Sequence, residues 1–229
     1  MIPKNNNTSN NTSLTSCMAK LAERLILLKI KQFLDDKQGI IIRQQSGFRQ
    51  KRQTKDNIFH LTQKASESLN RGKYMCSIFF DIAAAFDKVW HDGLIYKLIK
   101  ITFPEYIICW IIEFLANRSF GVRVNNSITD RLIISAIVPQ GAVLSPTLFS
   151  IFINDIPINY SRNECYSLLF ADDLCAYFIY KQKRTVVKTI ELYLDRIENW
   201  LKSWQLTMAP NKCNYIIFLT INRTKMMMC

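Results

Sequence analysis

The stretch that most constrains this chain is Phe170-Ala171-Asp172-Asp173. It separates two apolar runs, residues 166–170 and 174–178, each rich in aromatic and aliphatic side chains and of strand length. The spacing predicts a β-hairpin with the two carboxylates at its tip. Adjacent like charges at a water-poor strand end are costly unless something neutralises them. A divalent cation would do so, because hard cations take oxygen ligands. A solvated turn is the alternative, since Asp is a common turn residue.

A third carboxylate stands in a similar place. Residues 74–80 form an apolar, buried-strand pattern that ends on Asp81. A charge there is either used or is a solvated helix cap. Helical spacing predicts helices from Ser16, with Met18, Leu21, Ala22, Leu25 and Leu28 as the docking face; over 56–69; through Val89, Leu94, Leu98 and Ile99; after Pro104; and over 147–154. The cleanest amphipathic helix carries Val187, Ile190, Leu194, Ile197, Leu201 and Trp204 on one face. Residues 120–124 and 132–138 read as strands around an Asn125-Asn126 turn, and 214–219 as a last strand. Pro210-Asn211-Lys212 is a turn. The fold class expected is α+β, with a mostly antiparallel sheet packed on helices. A sheet that sets the first strand beside the hairpin would bring Asp81, Asp172 and Asp173 together.

The charge balance suggests the partner. Lys and Arg number 30 against 18 Asp and Glu, a formal net charge of +12. Such an excess suits a polyanion, either nucleic acid or an anionic membrane surface. The N-terminus has no apolar leader-like segment, and the apolar runs are too short to span a bilayer, which favours nucleic acid. Four of the seven residues from Arg49 to Lys55 are cationic and follow Gly47-Phe48; they suit strand phosphates, or an ordinary solvated loop. The seven cysteines form no C-x-x-C pair, so neither a zinc site nor a disulfide framework is expected, and an intracellular setting is.

Taken together, these stretches resemble the reverse transcriptase of a non-LTR retrotransposon, most similar to the Jockey group. The resemblance rests on Ser13-Leu14-Thr15-Ser16-Cys17, Gln45-Ser46-Gly47-Phe48-Arg49, Phe80-Asp81-Ile82 with Ala85-Phe86-Asp87, Pro139-Gln140-Gly141 with Leu144-Ser145-Pro146, Phe170-Ala171-Asp172-Asp173, and Pro210-Asn211-Lys212, in that order. It implies a right-hand polymerase palm with partial fingers and a missing thumb. Residues 1–15 would be a low-complexity segment, 16–73 the partial fingers and template-contacting region, 74–219 the palm, and 220–229 an unpatterned tail.

The resemblance also implies roles. Asp81 and Asp172 would hold two Mg²⁺ ions (or Mn²⁺), with Asp173 the neighbouring carboxylate and Ile82 offering its backbone carbonyl. Phe86 would press on the sugar 2′ position and exclude ribonucleotides. Gln140 and Gly141 would meet template and incoming nucleotide. Lys212 would serve near the pyrophosphate as acid or electrostatic stabiliser, or be a solvated turn lysine. Gly47, Phe48 and Arg49, with Lys51 and Arg52, would line the template path. The implied partners are an RNA template, a DNA primer and dNTPs, with no membrane, in nucleus and cytoplasm. Two departures stand out: Asn10-Asn11-Thr12 replaces the family's Arg-Pro pair, and Ile137-Val138 stands where a Gly is usual. They lead us to expect a fragment or decayed copy, weak or inactive alone. A noncatalytic nucleic-acid-binding remnant is the alternative. A two-metal nuclease fits the carboxylates but not the Pro-Gln-Gly pairing.

Overall fold

The computed structural model describes residues 17–37, 39–49, 51–116, 119–120, 123–124, 127–128, 132–133, 142–158 and 165–219. Three of its strands are β1 (Tyr74–Phe80), β6 (Cys165–Phe170) and β7 (Asp173–Tyr180), and a fourth is β8 (Asn214–Phe218). These build one antiparallel sheet in the order β6-β7-β1-β8. Two short ladders lie in the middle of the chain. β2 (Ser119–Phe120) pairs β5 (Leu132–Ile133), and β3 (Arg123–Val124) pairs β4 (Ser127–Ile128). Val124 stands opposite Ser127; Asn125-Asn126 and most of the predicted strands 120–124 and 132–138 lie outside the described residues.

Side chains alternate across the main sheet, so its two faces have separate cores. On one face Met75 and Tyr177 pack with Ala65 of α2 (Thr54–Asn70). His60 of α2 reinforces that contact, its Nε2 lying 2.9 Å from the Tyr177 hydroxyl. On the other face Cys76, Phe80, Leu174, Ala176 and Phe178 meet Tyr193, Ile197 and Leu201 of α6 (Lys183–Ser203). The same core continues through α3 (His91–Lys100), α4 (Glu105–Leu115) and α5 (Ser145–Phe152). Lys97 of α3 is buried there, with its ammonium on Asp155 and on the Phe152 carbonyl and 3.6 Å from the Trp204 ring centroid. Burial lowers its pKa to about 8, against the pull of Asp155.

Two helices turn a different face inward than their spacing predicts. In α1 (Cys17–Asp36), Met18, Leu21, Leu25 and Leu28 are exposed. The docked stripe is instead Glu23, Ile26, Leu27, Ile30, Phe33 and Leu34. The helix carries two apolar stripes, and the one interrupted by an acid is the one that docks. Glu23 is tolerated inside because its Oε2 accepts the backbone N–H groups of Val143 (2.6 Å) and Leu144 (3.3 Å) at the start of α5. In α6 the buried line is Val186, Tyr193, Ile197 and Leu201, while Val187 and Leu194 are exposed. The third helix starts at His91, so Val89 precedes it, and Ile99 faces solvent.

Candidate active site

The sheet register brings the three carboxylates together. Phe80 of β1 pairs Leu174 of β7, so one further step sets Asp81 across from Asp173. Phe170 pairs Asp173, which leaves Ala171-Asp172 as the two-residue turn of the β6–β7 hairpin. Ala171 has φ +57°, a left-handed conformation that lets so short a link close. The turn therefore presents Asp172 beside Asp173.

The carboxylates act on one another. Desolvation lifts the Asp172 carboxyl above the ordinary carboxylate range; the charges of Asp173 and Asp81 add to the lift, and Lys212 and a backbone N–H oppose it. Asp173 is raised by desolvation and by Asp81. Both carboxyls are thus penalised as anions, first by burial and then by the charge of their neighbours.

Lys212 reaches the same place by a second route. Its segment returns along the first strand: the Ala83 N–H bonds the Thr207 carbonyl, and the Ala209 N–H bonds the Asp81 carbonyl, both at 2.8 Å. Residues Pro210–Lys212 then make a 3₁₀ turn, and β8 pairs β1 from Asn214 opposite Phe79. Lys212 Nζ lies 3.5 Å from Asp81 Oδ2, with the lysine side chain mostly exposed. So exposed a pair adds little stability, but it leaves a mobile cation at the rim of an acidic cluster.

Around this centre, Ile82 is buried and bridges Met208. Phe86 is half-buried, stacked on Phe149 at 4.4 Å and met edge-on by Phe48 at 6.2 Å. Phe48 itself is half exposed. Gly47 sits against the carboxylate turn: a Cβ there would lie 2.1 Å from the Ala171 nitrogen. Arg49 folds back, its guanidinium donating to the carbonyls of Ile42 and Gln45, and burial lowers its pKa. Lys51 and Arg52 face solvent. Gln140 and Gly141 lie outside the described residues, as do the segments 1–15 and 220–229. The spacing of charges did not single out Gln45, which is buried against the turn. Its sequence signal was its place at the head of the Gln45-Ser46-Gly47-Phe48-Arg49 stretch that carries the resemblance, to which no role was given.

Among the described residues no group of three or more His, Cys, Asp or Glu side chains is arranged to hold a metal ion in the conformations present. The chemistry nonetheless fits, because two carboxylates raised in part by a third, with an exposed lysine at the rim, are what a hard cation would neutralise.

The profile of the family described as reverse transcriptase (RNA-dependent DNA polymerase) matches residues 2–225. The chain belongs to the reverse transcriptase family. It is 33% identical over 218 residues to the RNA-directed DNA polymerase from mobile element jockey of Drosophila melanogaster, an alignment that covers 93% of this chain and 23% of that protein. It is also 33% identical over 205 residues to the probable RNA-directed DNA polymerase from transposon BS of the same species, covering 87% of this chain and 22% of that one. The chain thus spans less than a quarter of these curated relatives. Among solved structures, the telomerase of Candida tropicalis in complex with a TWJ fragment of telomeric RNA has a TM-score of 0.61 at 15% identity, over 85% of this chain and 33% of that one. The apo telomerase of the same species truncated from its C-terminal domain gives 0.59 at 13% identity, over 89% and 41%. These two share the fold. Among the described residues no helix is long and apolar enough to cross a membrane.

Proposed function

We propose that this chain is the palm, with part of the fingers, of an RNA-directed DNA polymerase that extends a DNA primer on an RNA template. The observation that carries the reading is the meeting of Asp81 with Asp172 and Asp173 at the ends of β1 and β7. Asp81 and Asp172 would hold two Mg²⁺ ions, with Asp173 beside them and the Ile82 backbone carbonyl as a further oxygen. Bound there, the ions would activate the primer 3′-hydroxyl and stabilise the departing pyrophosphate.

The chain's own residues would do the rest. Lys212, now on Asp81, is free enough to swing toward the pyrophosphate and offer charge or a proton. Phe86 is braced by Phe149 behind it and Phe48 at its edge, so its ring would resist displacement by a ribose 2′-hydroxyl. Gln140 and Gly141 would meet the incoming nucleotide and template. Gly47 and Phe48 would border the template path, and Lys51 and Arg52 would take its phosphates. Arg49 would shape that loop rather than grip the strand, since its guanidinium is engaged within it.

The test is primer extension on an RNA template with Mg²⁺ and dNTPs. Incorporation that Asp172→Asn abolishes is the expected outcome. No incorporation, with salt-sensitive RNA binding retained, would make the chain a noncatalytic nucleic-acid-binding remnant, held to RNA by its +12 charge.

A further inference from the structure

The turn that carries the carboxylates is held from behind by a distant residue. Ala171 sits in the left-handed region, where a Cβ crowds the backbone and the conformation has to be held in place. Both of its peptide groups are engaged by one buried side chain. Gln45 Oε1 accepts the Ala171 N–H at 3.1 Å, and Gln45 Nε2 donates to the Ala171 carbonyl at 3.3 Å. The first peptide plane precedes Ala171 and the second follows it, so the two bonds together restrain both of its backbone dihedrals. The second plane also carries the nitrogen of Asp172, and its tilt sets the direction in which that carboxylate leaves the strand.

Gln45 is itself fixed. Its Oε1 also accepts the Gly47 N–H at 2.7 Å, and its side chain is 1% exposed. The Ser46 N–H bonds the Leu169 carbonyl at 2.9 Å, and the Leu169 N–H bonds the Gln44 carbonyl at 3.0 Å, a parallel bridge beside the hairpin. Asn57 of α2 adds bonds to Ser46 Oγ and to the Leu169 carbonyl. Gly47 completes the fit, since nothing larger can stand against the Ala171 nitrogen. No bond in this set reaches the reacting centre. The Gln45 amide alone meets Ala171, next to Asp172, and the other bonds hold the Gln45 segment against the hairpin.

We infer that Gln45 is a positioning residue for the carboxylate turn: it locks Ala171 in its left-handed conformation and so aims Asp172 toward Asp81. The consequence for metal binding rests on the polymerase reading; the hold on the turn does not.

The experiment measures two things on the whole chain: Mn²⁺ binding, by electron paramagnetic resonance of the free ion, and amide hydrogen exchange across 170–174. Gln45→Met keeps the length of the side chain and removes its bonds. Gly47→Ala keeps the Gln45 amide but pushes on the turn at the Ala171 nitrogen and, at 3.0 Å, on Gln45 Oε1 itself. Both are expected to speed exchange in the turn and to weaken Mn²⁺ binding about tenfold, the usual scale for residues that support metal ligands. Ser167→Ala, which removes a bond to Tyr193 on the α6 side of the sheet, is expected to lower stability and leave Mn²⁺ affinity as it was. Unchanged exchange and unchanged affinity in the folded Gln45→Met and Gly47→Ala chains would overturn the inference. If Gln45→Met fails to fold, Gly47→Ala decides. If Mn²⁺ binding in the parent is indifferent to Asp172→Asn, the polymerase reading fails and exchange at the turn alone decides for or against Gln45.

Discussion

Asp172 shows what the cluster costs the fold. Its carboxyl is raised above the ordinary value of 3.8, first by desolvation and then by its acidic neighbours. The folded chain therefore holds that proton more tightly than the unfolded chain does. Its contribution to stability is complete below the ordinary value and is lost as pH rises through the raised one. Asp172→Asn removes the loss. In EDTA at pH 7 the variant should melt above the parent, by about 2–4 °C for each kcal/mol relieved, and the gap should close below the ordinary Asp value. Calorimetry across that pH range checks it; a variant that melts lower at pH 7 would contradict the assignment of repulsion at this site. The pair of acids was legible in the sequence because charge between two apolar runs is conspicuous. Gln45 was not, because an uncharged amide shows its burial only after the chain has folded back on residue 171.

The helix α1 makes the corresponding point for an element. Its period was legible, but its docked face was not. Two apolar stripes share the helix, and sequence spacing favours the one without a charge. The structure buries the other because Glu23 finds backbone N–H donors at the start of α5. Glu23→Ala should cost about 1–3 kcal/mol, since it strands buried donors. Leu25→Ala, on the exposed stripe, should cost less than about 0.5 kcal/mol. Urea unfolding of the two variants measures both, and equal costs would mean that the helix docks by the face its spacing suggests. In α6 the inward line lies one residue off at two positions, an error that period alone cannot correct. The strands fared better: β1, β6 and β7 match their apolar runs closely, because a buried strand leaves little choice of face.

Across the whole molecule, the excess of 12 positive charges sets long-range attraction to a polyanion, while local geometry decides which cations reach it. Arg49 and Arg52 lie three residues apart and differ in this. Arg49 is bound to its own loop, whereas Arg52 is exposed. For single-stranded RNA, Arg52→Ala should reduce the slope of log K against log salt by about 0.7, the contribution of one phosphate contact. Arg49→Ala should leave the slope near the parent value and lower the melting temperature. Fluorescence anisotropy over a range of KCl, with melting curves alongside, separates the two. A slope change for Arg49 instead would return it to the template path.

By itself the sequence determined the strands and the hairpin that bears Asp172 and Asp173, because an apolar run of strand length and a charged turn are local facts. It also determined the basic balance and the family resemblance, which depend on residue types in order. Only the tertiary structure decided that β7 lies between β6 and β1, that Asp81 faces Asp173, and that residues 207–212 return to set Lys212 beside Asp81. It alone decided which stripe of α1 is buried and that Gln45 holds Ala171. These are pairings between segments dozens to more than a hundred residues apart. They depend on which backbone groups find partners, and that is settled only when the whole chain competes for them at once.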